Sequence, residues 1–292
     1  MDFLNSSVLY LTGSADAPAE DVALWPVGSE AGLPRQWISD RQLNHGILQL
    51  HVATETLFKA RLAYEHWSLV FEDPLSATRT AWARGRFDSC TMTGALGRLV
   101  DIAGVSITEE ERKCAGDLAD LANAVTSYAR TLNVCAGISC AARVLELLVN
   151  FVPTQLHPML SRDSAMAAGP MDFVKGKLQD IRALMENRMQ QLADGLDEVA
   201  EHTVVCPSCR QWALVAGETN LTCRFCLRVF ESPTEVALSY WEDVLCSDNS
   251  IGLMSCGVCG EEDVVMMART ASDKSTDVPV CFGCGIVCRE AA

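Results

Sequence analysis

The chain has 292 residues, 49% hydrophobic and 21% charged, the balance of a protein that folds around a sizeable core in two domains rather than staying disordered. A formal net charge of −15 and a pI near 4.7 weigh against affinity built on neutralising phosphates. There is no run of about eighteen apolar residues and no basic-then-apolar leader, so the expectation is a cytoplasmic protein with no membrane span and no secretory signal.

Residues 1–38 are dense in turn formers and read as an N-terminal arm with a short strand at "SVLYLT" and Trp25 as a docking residue. From Ser39 the period becomes helical. Leu50, Ala53, Leu57, Ala60, Tyr64 and Trp67 recur every three or four residues, which predicts one face of a long helix ending before Pro74. A second helix is expected over 92–104. The next opens with Thr108 and Glu111 in capping-box spacing and carries a seam of Cys114, Leu118, Leu121, Val125, Tyr128 and Leu132. An apolar helix follows at 137–151, broken by Pro153, and a long one at 171–201. Five helices with short connections predict an all-α bundle over 39–202.

At Val204 the composition shifts to cysteine, short β-prone runs and turns. Of the 14 cysteines, eight form four CxxC pairs in this tail, which in a reducing compartment reads as metal ligation. Cys206, Cys209, Cys223 and Cys226 have the spacing of a zinc ribbon, with "WALVAGETNLT" as a hairpin turning at "AGETN". Cys256, Cys259, Cys281 and Cys284 form a second set, in which "DVVMMA" and "VPV" pair across the polar loop "RTASDKSTD". The domains are then an arm (1–38), the bundle (39–202), a first ribbon (203–230), and a second ribbon with a connecting segment (231–292).

Four thiolates saturate a tetrahedral zinc ion and leave no place for a reactive water, so two structural Zn²⁺ sites are expected. Cys246 and Cys288 read as spare thiols, and Cys90, Cys114, Cys135 and Cys140 as buried ones. Residues 203–292 carry a charge balance of −6 before the −2 of each zinc–thiolate centre is added. Arg210, Arg224 and Arg228 beside Trp212 and Phe225 are nonetheless candidates for a small basic-aromatic platform that contacts RNA or DNA.

The stretch "ETLFKARLAYEHWSLVFEDP" resembles the first helix of bacterial proteins of the HEPN superfamily, and a weaker resemblance extends over about residues 40–200. The resemblance implies a helical domain, and for its RNase members an arginine followed by a polar residue and, four to six positions on, a histidine. Dimerised, these act on the RNA 2′-hydroxyl without metal, as general base and phosphorane-stabilising cation. In "LADLANAVTSYA", Asn123 stands at the polar position, but Ala122 and Ser127 occupy those of the arginine and histidine. Neither side chain can do those jobs.

Arg61, Glu65 and His66 are the alternative constellation. On a straight helix, however, Arg61 and His66 diverge by roughly 140°, and the plain reading puts Arg61 on the surface with Glu65 and His66 in polar contacts. His45, His51, His157 and His202 read as ordinary surface or interface residues.

Three readings follow. The first is a non-catalytic HEPN-like, zinc-ribbon binding subunit for a protein partner or a second copy, in a defence or toxin–antitoxin setting that the resemblance implies. The second is an RNase using Arg61, Glu65 and His66. The third is a nucleic-acid-binding regulator acting through the first ribbon.

Overall fold

A computed structural model describes residues 1–13, 38–128, 132–159, 164–218, 221–245 and 253–287. Trp25, Cys246 and Cys288 lie outside the described residues, as do the side chains of Tyr128 and His157. The chain divides into two compact units, Met1–Ala183 and Leu184–Ala292. The described residues are mostly helical, with small antiparallel sheets near the C-terminus.

In the first unit the strand expected near the N-terminus is instead a helix, α1 (Asp2–Leu11). Leu4, Val8 and Leu11 fall on one helical face and are buried, and this periodicity overrides the β-preference of Val8 and Tyr10. The face packs on α2 (Asp40–Glu65), which a capping box between Ser39 and Gln42 opens. At the crossing, a Cβ added to Gly46 would lie 2.7 Å from Leu11 Cγ and Cδ2, so glycine is what lets the two helices approach.

Helix α2 is the hub of this unit. It packs against α1, α4 (Met92–Asp101), α5 (Glu109–Tyr128) and α6 (Val134–Phe151). Its buried stripe is Leu43, Ile47, Leu50, Thr54, Phe58 and Leu62, with Ala53 buried beside it as expected; beyond Ala53 the expected face is corrected, since Ala60 and Tyr64 are exposed. Phe58, seated edge-on against Phe151 at 5.1 Å, is the larger anchor and rotates the stripe away from Leu57. The helix ends at Glu65, earlier than expected, and Trp67–Val70 continues as a 3₁₀ turn. A short helix, α3 (Arg79–Arg84), precedes α4.

Helix α5 opens with the expected capping box, Glu111 N–H donating to Thr108 Oγ1 at 3.2 Å and Thr108 N–H to Glu111 Oε2 at 2.8 Å. Cys114, Leu118 and Ala122 are buried in its seam. Val134–Leu156, covering α6 and the π-turn after it, is apolar enough to cross a membrane, yet 72% of its most apolar window is buried inside the fold, as befits a core helix. Helix α7 (Ser164–Asp197) begins before Gly169–Pro170 rather than after it. Met171, Val174, Leu178 and Ile181 are buried on its first-unit portion.

The second unit starts inside α7, at Leu184. The helix ends at Asp197 and the first strand begins at Thr203, so the change to strand falls near the expected shift in composition, while the units divide earlier, within α7. β1 (Thr203–Val205) pairs antiparallel with β2 (Trp212–Val215) around the first CxxC, and Leu214 bridges to Cys223, so β2 serves both cysteine pairs. After α8 (Pro233–Ser239), β3 (Val264–Thr270) pairs with β4 (Asp273–Cys281). The polar segment expected as a long loop is therefore strand, with Thr270 paired to Asp273 across a two-residue turn. Tyr240, Phe225 and Phe282 are fully buried in this unit.

Candidate metal centres and the helical candidates

The fold gathers each expected cysteine set into one cluster. The sulfurs of Cys206, Cys209, Cys223 and Cys226 lie within 4.8 Å of one another, and so do those of Cys256, Cys259, Cys281 and Cys284. No disulfide joins them. Four sulfurs around an ion at a ligand distance of ~2.3 Å define a tetrahedron with edges of about 3.8 Å. Two of the six edges are 3.9 Å (Cys206–Cys226) and 3.7 Å (Cys209–Cys223) in the first cluster, and 3.7 Å (Cys256–Cys284) and 3.7 Å (Cys259–Cys281) in the second. These separations match the edges of a tetrahedral thiolate site, and the remaining ones stay within 4.8 Å.

All four CxxC pairs are built alike. The N–H four residues after the first cysteine donates to that cysteine's carbonyl: Arg210 to Cys206 at 2.9 Å, Leu227 to Cys223 at 2.8 Å, Gly260 to Cys256 at 2.9 Å and Gly285 to Cys281 at 2.9 Å. The donor residue is left-handed each time, with φ of 61°, 58°, 80° and 74°. Backbone curled this way brings both sulfurs to one side of each turn. Glycine adopts the conformation freely in the second cluster, whereas Arg210 and Leu227 carry its strain in the first.

The two centres differ in exposure: all four cysteines of the first are buried, while Cys259 and Cys284 of the second face solvent. In the first, hydrogen bonds from Cys209, Cys223 and Cys226 hold Cys206 well below the usual thiol range. In the second, the backbone N–H groups of Cys259 and then Val258 bring Cys256 down to about 6, while burial pushes Cys281 up.

A buried cation accompanies the first centre. Arg188, only 2% exposed, donates from Nη2 to the carbonyl of Arg224 at 3.2 Å, inside the second CxxC turn, and its Nε has no partner among the described residues. A guanidinium buried without a carboxylate is costly unless another negative centre lies nearby. Four thiolates around a divalent ion, if the cluster beside Arg224 holds one, would supply such a charge.

The two centres also interlock. Taking module 1 as the β1–β2 part with the first cysteine set and module 2 as the β3–β4 part with the second, the β3–β4 turn of module 2 reaches module 1 through Ala271 N–H to the Thr203 carbonyl (2.7 Å) and Ser272 N–H to that of Ala200 (3.2 Å). In return Gly217 N–H donates to the Phe282 carbonyl at 3.1 Å, and His202 Nδ1 donates to that of Gly285 at 2.8 Å. A Cβ on Gly217 would lie 2.7 Å from the Gly285 Cα, so the two backbones are in direct contact.

The basic-aromatic platform expected on the first ribbon is not assembled. Phe225 is in the core. Arg224 is held by Glu218 at 2.6 Å and by the Gly195 carbonyl at 2.7 Å, and Arg228 lies 3.6 Å from Glu235 and over the Phe230 ring. Arg210 is half-buried with an unpartnered Nε, and Trp212, also half-buried, is covered by Lys274 at 5.3 Å. Of the three arginines, Arg224 is committed within the protein, while Arg228 keeps half of its side chain exposed.

In the helical unit Ala122 is buried, while Asn123 and Ser127 are exposed on α5. Arg61 is buried, not on the surface as expected, because it shares the Phe58–Leu62 side of α2. It pairs with Glu65 at 2.6 Å. His66 is exposed beyond the helix end, where its Nδ1 accepts from Ser68 N–H at 3.3 Å. Arg61 and Glu65 are thus brought together, and His66 is engaged elsewhere.

One cluster went unread in the sequence. Phe71, Trp82 and Phe87 stack on one another and Trp67 meets Phe71 edge-on, with Arg79 over Trp67 at 4.7 Å, beside a pocket of about 350 Å³ edged by Glu72, Asp73, Asp88 and Arg86. The irregular spacing of these rings gives no periodic signal. No family model, curated protein or solved structure matches the chain.

Proposed function

We propose that the chain is a non-catalytic, HEPN-like binding subunit whose tail is braced by two structural zinc ions. The observation that carries this reading is the closure of both cysteine clusters: four sulfurs at tetrahedral separation leave no ligand position for a substrate or an activated water. Soft thiolates in that geometry favour zinc. Cys206, Cys209, Cys223 and Cys226 would hold one ion and Cys256, Cys259, Cys281 and Cys284 the other, and each ion would supply folding energy.

The helical unit supports the same reading. Ala122 and Ser127 stand where the resemblance asks for arginine and histidine, while Arg61 is committed to Glu65 within the fold. The acidic balance favours a protein partner or a second copy over a nucleic acid. A cytoplasmic bacterial defence or toxin–antitoxin complex is the setting that the HEPN resemblance suggests.

The test is incubation of a mixed RNA panel with zinc-loaded protein, beside an Ala122→Arg/Ser127→His variant. No cleavage by the natural protein is expected. Cleavage by it to 2′,3′-cyclic phosphate ends would sink the proposal.

A further inference from the structure

The two cysteine centres share one architecture but not one environment. The first has no cysteine facing solvent. The second presents Cys259 and Cys284. Those two cysteines come from different CxxC turns, so solvent reaches both halves of the centre. Metal-bound cysteine is thiolate, the nucleophilic form, and among thiolates exposure selects which is oxidised.

We propose that the second centre is an oxidation site for small peroxides, with Cys259 and Cys284 the sulfurs attacked first and release of its metal the consequence. The inference rests on reading both clusters as filled metal centres. Chemically, a thiolate sulfur attacks one peroxide oxygen; the O–O bond breaks, an S–O bond forms, and the departing oxygen takes a proton to leave as water. A neighbouring thiolate then displaces hydroxide from the sulfenic acid, forming an S–S bond and, with a second proton, another water. Two thiolates are oxidised by two electrons and one peroxide is reduced. Cys256 lies 3.7 Å from Cys284 and Cys281 lies 3.7 Å from Cys259, so each exposed sulfur has a resolving partner at hand. With two ligands gone the ion is no longer held.

The position of the oxidised turn gives the event a consequence. Cys281–Gly285 is the segment that module 1 grips: Gly217 donates to the Phe282 carbonyl, and His202 to that of Gly285. Cys284 is therefore next in sequence to the point of docking. Loss of the ion frees that turn and loosens the contact between the two modules, while the buried first centre keeps module 1 folded.

The experiment uses the full-length zinc-loaded protein. Metal content is counted by native mass spectrometry before and during exposure to hydrogen peroxide, and differential alkylation maps the oxidised cysteines. The expected course is two ions at the start and at least tenfold faster loss of one, with oxidation confined to Cys256, Cys259, Cys281 and Cys284. Hydrogen exchange should rise together at Gly217 and Gly285, and a dithiol reductant with added zinc should reverse both changes. Equal loss of the two ions, or earlier oxidation of Cys206, Cys209, Cys223 or Cys226, would overturn the proposal while leaving two metal centres in place. Fewer than two ions in the untreated protein would overturn the metal reading itself, and this inference with it.

Discussion

Gly217 and Gly260 offer a matched pair of substitutions that isolates the docking of the two cysteine modules. Their φ angles are nearly the same, +82° and +80°, but their surroundings are not. An added Cβ at Gly260 meets nothing within 4 Å, whereas at Gly217 it would lie 2.7 Å from both Cα and N of Gly285. Alanine at either position is forced into the left-handed region at about 1–2 kcal/mol. Only Gly217→Ala adds overlap with a fixed backbone, costing a further ~1–3 kcal/mol. Gly217→Ala should therefore destabilise by about 2–5 kcal/mol and Gly260→Ala by about 1–2 kcal/mol. Urea denaturation of the zinc-loaded protein, with hydrogen exchange at the β3–β4 amides reporting the second unit separately, measures both. Equal effects of the two alanines would refute the account of docking, because the strain they share would then be the whole cost.

Gly46→Ala should destabilise the first unit by about 1–3 kcal/mol through its clash with Leu11, and thermal melting should show the loss vanish when Leu11→Ala is already present. Arg188→Met leaves the first centre's charge unbalanced, and competition with a zinc chelator should show about a tenfold weaker site there, with the second centre unchanged. Hydrogen bonds from the Thr276 and Ser275 side chains hold the Asp273 carboxyl down to about 2, so a carbon-detected NMR titration should find it ionised well below the usual carboxylate range. Because its folded pKa is depressed, its contribution is complete above the unfolded value of about 4 and fades as pH falls through about 2. Asp273→Asn should then alter hairpin exchange rates at pH 6 and lose most of that difference near pH 2.

The cysteine clusters were legible because a CxxC turn is local: spacing alone brings two sulfurs together, and the strands between them bring the pairs together. The left-handed residue after each turn was half legible, as glycine at Gly260 and Gly285 but disguised as Arg210 and Leu227 in the first module. Helix α1 was misread because Val8 and Tyr10 suit a strand, and only the burial of Leu4, Val8 and Leu11 against α2 decides for helix. On α2, Leu57 and Phe58 offer competing stripes one residue apart. Packing of Phe58 against Phe151 chooses between them, and with that choice Arg61 turns inward. The contact of Gly217 with Gly285 joins residues far apart in sequence, and no local pattern announces it. The short helices α3 and α8 hold too few residues for a period to show.

X-ray absorption at the zinc edge of the fully loaded protein tests the closed-centre claim most directly. A first shell of four sulfurs at ~2.3 Å is expected around both ions, with no lighter ligand. A nitrogen or oxygen ligand at ~2.0 Å on either ion would contradict it, since a thiolate would then be missing from that shell, and a water oxygen would mark an exchangeable position at which chemistry is possible.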